Sequence, residues 1–528
     1  MNRKLLLVGL VIYAIGITAI GLWFGAPKLK ALLKNPEVSK APEVRVTYVD
    51  TSMYDVQRTS YLHWIEPSPV SGGGLERFGT GLLLATGDGR LFFFRENAAK
   101  DGLELRALNY SVPLNAAQFD RDARRILGGP VESQWFRVAD VKIQSHGENL
   151  RLFASHHYWN SDQSCFGVRV SVLEGRPEEL LGPGGVLRWR TVYETTPCLK
   201  LNTSGPRGSH FAGLEVGGRM ALLGDDTMLL TLGDLEFDGW NRTPALAQDV
   251  ASPYGKTMLV HLDTGAAEMY SMGHRNPQGL AVDAHGVIWS TEHGPQGGDE
   301  LNIIRQGANY GWSKVTYGTD YTMHSWPLST TQQRHEGFEK PLYAWVPSGG
   351  ISQVIAVRGP LFDSWRGDLL VSFLKFGRLS RVRVEDGRVI FAEPIKIGKR
   401  IRSLVQTAGG RIVLLTDDDE IVFLAPSTRA SGEVLSFRCA GCHAFKDWEP
   451  SSIGPRLWGV VGRKPASLDD FRYSPAMREL GGTWTRERLD AFLANPRSVV
   501  PGTTMQFPGM PDATERARLI DYLETLKF

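Results

Sequence analysis

Gly87-Asp88-Gly89-Arg90-Leu91-Phe92-Phe93 joins a tight polar turn to an apolar run of strand length, and that form returns five times. It returns as Gly147-Glu148-Asn149-Leu150-Arg151-Leu152-Phe153 and as Gly224-Asp225-Asp226-Thr227-Met228-Leu229-Leu230. The later copies are His285-Gly286-Val287-Ile288-Trp289, Arg366-Gly367-Asp368-Leu369-Leu370-Val371 and Gly409-Gly410-Arg411-Ile412-Val413-Leu414. A Gly/Asp/Asn turn followed by β-favouring residues reads as the start of a buried strand. The six units recur at roughly 40 to 80 residues, the spacing of supersecondary units that bury their faces by stacking on one another. The expectation is a mainly β fold, a six-bladed β-propeller over residues 45–427, with little helix from Arg45 to Ala425. A β-sandwich with coincidental hairpins is the alternative. A propeller places its site on one face near the central channel, with residues drawn from several blades.

The chain around this unit is long enough, at 528 residues, for two or three domains. Lys and Arg number 59 against 57 Asp and Glu, a formal charge of +2. That near-balance, with no long basic run, argues against a nucleic-acid partner. Leu5 to Phe24 is apolar or small apart from Tyr13 and Thr18, about the 20 residues of one bilayer span. Gly25-Ala26-Pro27 is a poor cleavage site, so residues 1–27 read as a transmembrane anchor rather than a cleaved leader. Residues 28–44, rich in Lys and Pro, read as a linker. Flanking lysines lie on both sides of the span and leave its orientation open.

At the other end, Cys439-Ala440-Gly441-Cys442-His443 is a C-x-x-C-H, the attachment sequence of c-type haem. Cys439 and Cys442 would form the thioether bonds and His443 would be the proximal iron ligand. Covalent haem attachment occurs outside the cytoplasmic membrane, so everything after the span is expected in the periplasm. Residues 431–528 read as a small all-α domain. Its helices are expected at Ser431–Arg438, Thr485–Leu493 and Asp512–Leu526. Ile453-Gly454-Pro455-Arg456-Leu457-Trp458-Gly459 and Pro501-Gly502-Thr503-Thr504-Met505-Gln506-Phe507 resemble two loops of class I cytochromes c. The first packs on the proximal His, and the second carries the distal Met in that family. The resemblance makes Met505 the sixth ligand, with Met510 its competitor. The remaining two of the four cysteines, Cys165 and Cys198, are expected to pair in an oxidising compartment; two separate buried thiols are the alternative.

Two polar stretches flank the fourth apolar run: Gly273-His274-Arg275-Asn276-Pro277-Gln278-Gly279-Leu280 and Glu292-His293-Gly294-Pro295-Gln296-Gly297-Gly298-Asp299-Glu300-Leu301-Asn302. Gly and Pro there expose backbone carbonyls, and Asp299 and Glu300 add carboxylates, a donor set suited to Ca²⁺. With Asn309-Tyr310-Gly311-Trp312 these stretches resemble the soluble-type quinoprotein sugar dehydrogenases, the glucose, aldose and sorbosone enzymes. Those are six-bladed propellers that use pyrroloquinoline quinone (PQQ) and Ca²⁺. The resemblance runs from about Gly208 to Asp417 and fades over Arg45 to Lys200. It implies His210 as general base, Arg275 and Asn276 as cofactor and substrate contacts, and Lys375, Arg400 and Arg402 as holders of PQQ. It implies the carbonyls of Gly294 and Pro295 as Ca²⁺ ligands, and a second, structural Ca²⁺ at Asp299, Glu300 and Tyr310. His293 departs from the glucose enzyme, which leaves the substrate open. The expected whole is a membrane-anchored periplasmic dehydrogenase for an aldose or related hydroxyl or aldehyde substrate. Its haem would pass electrons singly to a downstream cytochrome or terminal oxidase. A Ca²⁺-dependent propeller lactonase, or a non-catalytic electron-transfer docking protein, are the alternatives.

Overall fold

The structure, a computed structural model, describes residues 43–97, 102–182, 186–201, 211–329, 334–427 and 432–526. The run from Leu5 to Phe24 lies outside them. Among the described residues no helix is long and apolar enough to cross a membrane.

Six antiparallel sheets form the body of the chain. Blade 1 comprises Gly73–Phe78, Gly81–Thr86, Arg90–Asn97 and Gly102–Ser111; blade 2 comprises Val138–His146, Asn149–Asn160, Cys165–Gly175 and Arg190–Glu194. Blade 3 comprises Gly217–Leu222, Thr227–Leu232, Lys256–His261 and Ala267–Met272; blade 4 comprises Pro277–Val282, Ile288–Glu292, Asp299–Ile303 and Tyr343–Trp345. Blade 5 comprises Ile351–Ala356, Leu369–Phe373, Arg378–Glu385 and Arg388–Lys396. Blade 6 begins with Ile401–Gln406, Ile412–Thr416 and Ile421–Pro426, and is completed by strands from the start of the chain, Asp55–Leu62 and Glu43–Asp50. The first strand of each blade contacts the first strands of both neighbours, and blade 6 contacts blade 1, so the ring is closed.

Strand periodicity explains why the ring holds. Side chains alternate between the two faces of a sheet, and here both faces are covered by neighbouring blades. In blade 1, Leu83 and Ala85 pack into blade 2 with Val141 and Leu152, while Leu82 and Leu84 pack into blade 6 with Val413 and Leu415. In blade 6, Ile412 and Leu414 turn the other way, into blade 5 with Leu370 and Leu379. Five of the six repeated units supply the second strand of a blade. The sixth, at Gly87, supplies the third strand of blade 1, because its second strand is the preceding run Gly81–Thr86.

One expectation is corrected. Ala116–Leu127 is a helix between blades 1 and 2, inside the span expected to be nearly free of helix. Phe119 and Ala123 are buried, with Ala116, Ile126 and Leu127 packed partly buried beside them, so the apolar positions follow a helical period over this one short stretch. Phe119 stacks on Phe136 at 4.5 Å between ring centroids and meets Phe211 edge-on at 4.6 Å. Cys165 and Cys198 form a disulfide, which fastens Leu199–Lys200 onto the third strand of blade 2.

The C-terminal region is helical, as Gly432–Ala440, Pro475–Glu479, Arg486–Ala494, Pro496–Val499 and Ala513–Thr525. The side chain of Thr485 caps Arg486–Ala494 by accepting from Arg488 N, and that of Asp512 caps Ala513–Thr525 by accepting from Thr514 N and Glu515 N. Leu435, Leu489, Phe492, Leu519, Ile520 and Leu523 form its core.

Candidate functional site

Antiparallel connection decides where the site residues fall. The first strands of all blades run in one direction. The connection into each first strand, and the turn between second and third strands, therefore lie at the same end of the channel. Arg275 and Asn276 enter blade 4, Arg400 and Arg402 open blade 6, Gly294 and Pro295 lie in the second-to-third turn of blade 4, and Lys375 lies in that of blade 5. Residues separated by over a hundred positions thus meet at one mouth. His210 lies outside the described residues.

Arg275 is the centre of this mouth. Its guanidinium forms an ion pair with Glu215 and donates from Nη1 to Gly294 O at 3.0 Å, while its plane lies 5.4 Å from the Trp312 ring. Burial opposes its charge, but Glu215, helped by Asp234 and Asp238, more than offsets that and raises its pKa. Behind the pair, burial pushes the Asp234 carboxyl up strongly, and the adjacent Glu215 adds to the shift. Glu215 takes a positive φ of 57°, and its Oε2 is buried without a hydrogen-bond partner. Asn276 Oδ1 accepts from Gly217 N at 3.3 Å and from Gln278 Nε2 at 2.8 Å, fixing blade 3 to blade 4.

At blade 6, Arg400 Nε and Arg402 Nε each donate at 2.8 Å to one oxygen of Asp417. Arg219, on the first strand of blade 3, crosses the channel. It donates to Gln278 O at 2.7 Å and to Arg402 O at 2.9 Å, and pairs with Asp140 at 3.2 Å. Lys375 is exposed. His293 is half-buried. Burial lowers its pKa; Asp299 opposes that shift, and Arg275 and Arg402 reinforce it.

The expected second Ca²⁺ group is placed as follows. Asp299 is fully buried and accepts from Gly294 N at 3.2 Å, Gly349 N at 2.9 Å and Ile351 N at 3.0 Å. Both its oxygens therefore staple loops of blades 4 and 5. The Tyr310 hydroxyl donates to Ile303 O at 2.5 Å. Glu300 lines a cavity of about 10 Å³ with Glu292, Tyr310 and His293, room for one water-sized occupant. Burial, with Glu292 beside it, raises the Glu300 pKa to about 8. Among the described residues no three His, Cys, Asp or Glu side chains form a ready metal cage. Gly294 O already accepts from Arg275, leaving one lone pair of that carbonyl for a cation.

The second site is a cavity of about 400 Å³ in the helical domain, lined by Cys439, Cys442, His443, Pro455, Met477, Phe492, Met505 and Phe507 among others. His443 follows the helix Gly432–Ala440, and its Nδ1 bonds to Pro455 O at 2.6 Å. That contact fixes the ring and leaves Nε2 for a ligand. Gly454 is required here, since a Cβ on it would stand 2.5 Å from the imidazole. Met505 lines the cavity, whereas Met510 is buried in the core.

Glu215, Arg219, Arg137, Asp140 and Asp417 were not singled out as site residues from sequence. The only available signal for Arg219 and Asp140 is a charged residue inside a strand expected to be buried.

Residues 206–424 match the family described as Glucose / Sorbosone dehydrogenase. An uncharacterised protein of Synechocystis sp. is 31% identical over 308 residues, which covers 54% of this chain and 69% of that protein. The aldose sugar dehydrogenase of Escherichia coli is 32% identical over 266 residues, 46% of this chain and 65% of that enzyme. Its crystal structure superposes with a TM-score of 0.54 at 23% identity, over 73% of this chain and all of that one, a likeness of fold. The C-terminal region is 44% identical over 98 residues to a cytochrome c-type protein of Rhodobacter capsulatus, covering 19% of this chain and 48% of that protein. The chain belongs to the glucose/sorbosone dehydrogenase family through its six-bladed propeller, and carries a cytochrome c domain behind it.

Proposed function

We propose that the protein is a periplasmic PQQ- and Ca²⁺-dependent dehydrogenase, held to the membrane by Leu5 to Phe24. It oxidises an aldose or a related hydroxyl or aldehyde substrate and hands electrons singly through its own haem to a respiratory cytochrome or oxidase. One observation carries the reading: a cation-rich mouth and an apolar cavity beside a C-x-x-C-H occur in one chain. Arg400, Arg402 and Lys375, at the entries and turns of blades 5 and 6, suit PQQ, which bears three carboxylates. Arg400 and Arg402 share a single carboxylate, so part of their charge is left for a ligand. When bound, PQQ supplies a two-electron quinone acceptor and the haem a one-electron carrier. Arg400, Arg402 and Lys375 hold the carboxylates, and Arg275, locked by Glu215, orients the partner of the substrate. The neutral imidazole of His210 takes the hydroxyl proton. The carbonyls of Gly294 and Pro295 suit a hard cation such as Ca²⁺. Cys439, Cys442, His443 and Met505 hold the haem, and His/Met ligation raises its potential toward that of an electron acceptor.

The test is addition of PQQ and Ca²⁺ to the apo-protein, followed at the haem band. Aldose-dependent reduction of the protein's own haem is expected. Silence across aldoses, alcohols and aldehydes would overturn the reading, and substrate consumption with the haem left oxidised would indicate a hydrolase. His210→Ala should remove turnover and leave the haem spectrum unchanged.

A further inference from the structure

Beside the Arg275–Glu215 pair, the described residues bring four more arginines to the channel mouth: Arg137, Arg219, Arg400 and Arg402. Three are matched by acids, Arg219 by Asp140 and the other two by Asp417. Arg137 is the fourth, at the entry to the first strand of blade 2. It is 6% exposed. Its guanidinium donates from Nη1 to Ser71 O at 3.3 Å and lies 5.4 Å from the Trp135 ring, and its ion pairs among the described residues include no carboxylate. The charged groups that act on it are Arg402 and Arg219, which repel it, and Asp417, which Arg400 and Arg402 already engage. Burial, and then Arg402, lower its pKa to about 9. The local backbone makes room for it: a Cβ on Gly72 would come within 3.0 Å of Arg137 Cδ.

Burying a cation beside two others is costly unless an anion completes the set. Among the described residues these four arginines have two carboxylate partners, Asp140 and Asp417. An arginine kept for packing alone has no reason to face two more.

We propose that Arg137 and Arg402 together clamp a carboxylate of a small anionic ligand seated in the channel mouth. Two sources share that chemistry. One is a carboxylate of bound PQQ, which rests on the function proposed above. The other is the carboxylate of an acidic sugar substrate. Arg is suited to either, since its planar fork meets a carboxylate with two parallel N–H donors.

The experiment compares the full-length wild-type protein with Arg137→Gln and Arg137→Lys. It measures PQQ binding by fluorescence titration, KM and kcat for glucose and glucuronate, and Tm with and without glucuronate. If the carboxylate is the cofactor's, R137Q weakens PQQ binding about tenfold or more, the usual scale for a lost charged hydrogen bond. R137K then recovers only part of the loss, and the glucose KM measured at saturating PQQ stays put. If it is the substrate's, PQQ affinity is unchanged and only the glucuronate KM rises by a similar factor. Should R137Q fail to fold, R137K gives the same contrasts at smaller amplitude, because it keeps the charge and loses the fork. A fall in Tm with no change in either ligand would overturn the proposal and make Arg137 a packing residue. If wild type binds no PQQ, the proposed cofactor falls. A glucuronate-induced rise in Tm that R137Q abolishes would still support the clamp, and its absence in wild type would end it.

Discussion

At the scale of single residues, the haem motif was fully legible and the mouth was not. Cys439, Cys442 and His443 declare themselves by spacing, because all three must reach one macrocycle. Arg275 was also visible, but its partner Glu215 stands 60 positions earlier in another connection, and only the ring brings the two together. Asp417 was missed for a different reason: it stands just past the neighbouring strand of the same blade, and only the strand register sets it beside the two arginines. It meets Arg400 and Arg402 at the end of the first hairpin of blade 6, where no local pattern marks it. The two methionines separate cleanly. Met505→Ala should change the haem spectrum and lower the potential while leaving the fold intact. Met510→Ala should leave the spectrum unchanged and lower stability by about 2–5 kcal/mol, the range for emptying a buried Met site. Visible spectroscopy and thermal melts of the two variants check both.

At the scale of elements, each repeated turn-plus-strand marked a real strand, yet the pattern could not say which strand of its blade. In blade 1, Leu82-Leu83-Leu84-Ala85 and Leu91-Phe92-Phe93-Phe94 are both unbroken apolar runs, so periodicity treats them alike. The pairing of Cys165 with Cys198 was expected on compartment grounds, but not its effect, which is to pin Leu199–Lys200 to blade 2. The bridge spans 33 positions, and loop entropy alone assigns it about 4 kcal/mol. Cys198→Ser should lower the Tm accordingly, and dithiothreitol should lower the wild-type Tm toward the variant's. The second strand of blade 2 carries His156 and His157, both fully buried. His156 bonds to His157 O at 2.6 Å and to Ser171 Oγ at 3.0 Å. Burial lowers their pKa values from 6.5 to about 4 and about 3. Below pH 6.5 the unfolded chain takes up protons that the folded blade refuses, so stability falls as pH drops toward 4 and is unaffected above 6.5. His156 alone contributes on the order of 3 kcal/mol to that loss. Chemical denaturation at pH 7 and pH 4 should show it, and His156→Gln should narrow the gap between the two.

At the scale of the molecule, the count of blades followed from the repeats, but closure did not. Nothing in Glu43–Asp50 or Asp55–Leu62 announces that they belong to the last blade. The partner that joins them to the blade through Asp55–Leu62, Ile421–Pro426, lies more than 350 residues away. Loop-closure entropy is spent before that pairing returns anything, so ring closure is expected late in folding. A chain beginning after Leu62 should lose the two outer strands of blade 6 and expose Val422 and Leu424. It should then melt at lower temperature, with aggregation seen by size-exclusion chromatography.

The closure also has a mechanical meaning. Glu43–Asp50 and Ile421–Pro426 both run antiparallel to Asp55–Leu62, and therefore parallel to one another. Residue 43 enters blade 6 at the mouth end, opposite Leu62, whereas Pro426 leaves it at the far end, opposite Val56. Tension applied between the chain before Glu43 and the cytochrome c domain after Pro426 would pull these strands lengthwise past each other. It would load their rungs in shear, all at once, instead of unzipping them singly. A propeller latched in this way resists being opened by a pull on the segments that flank it.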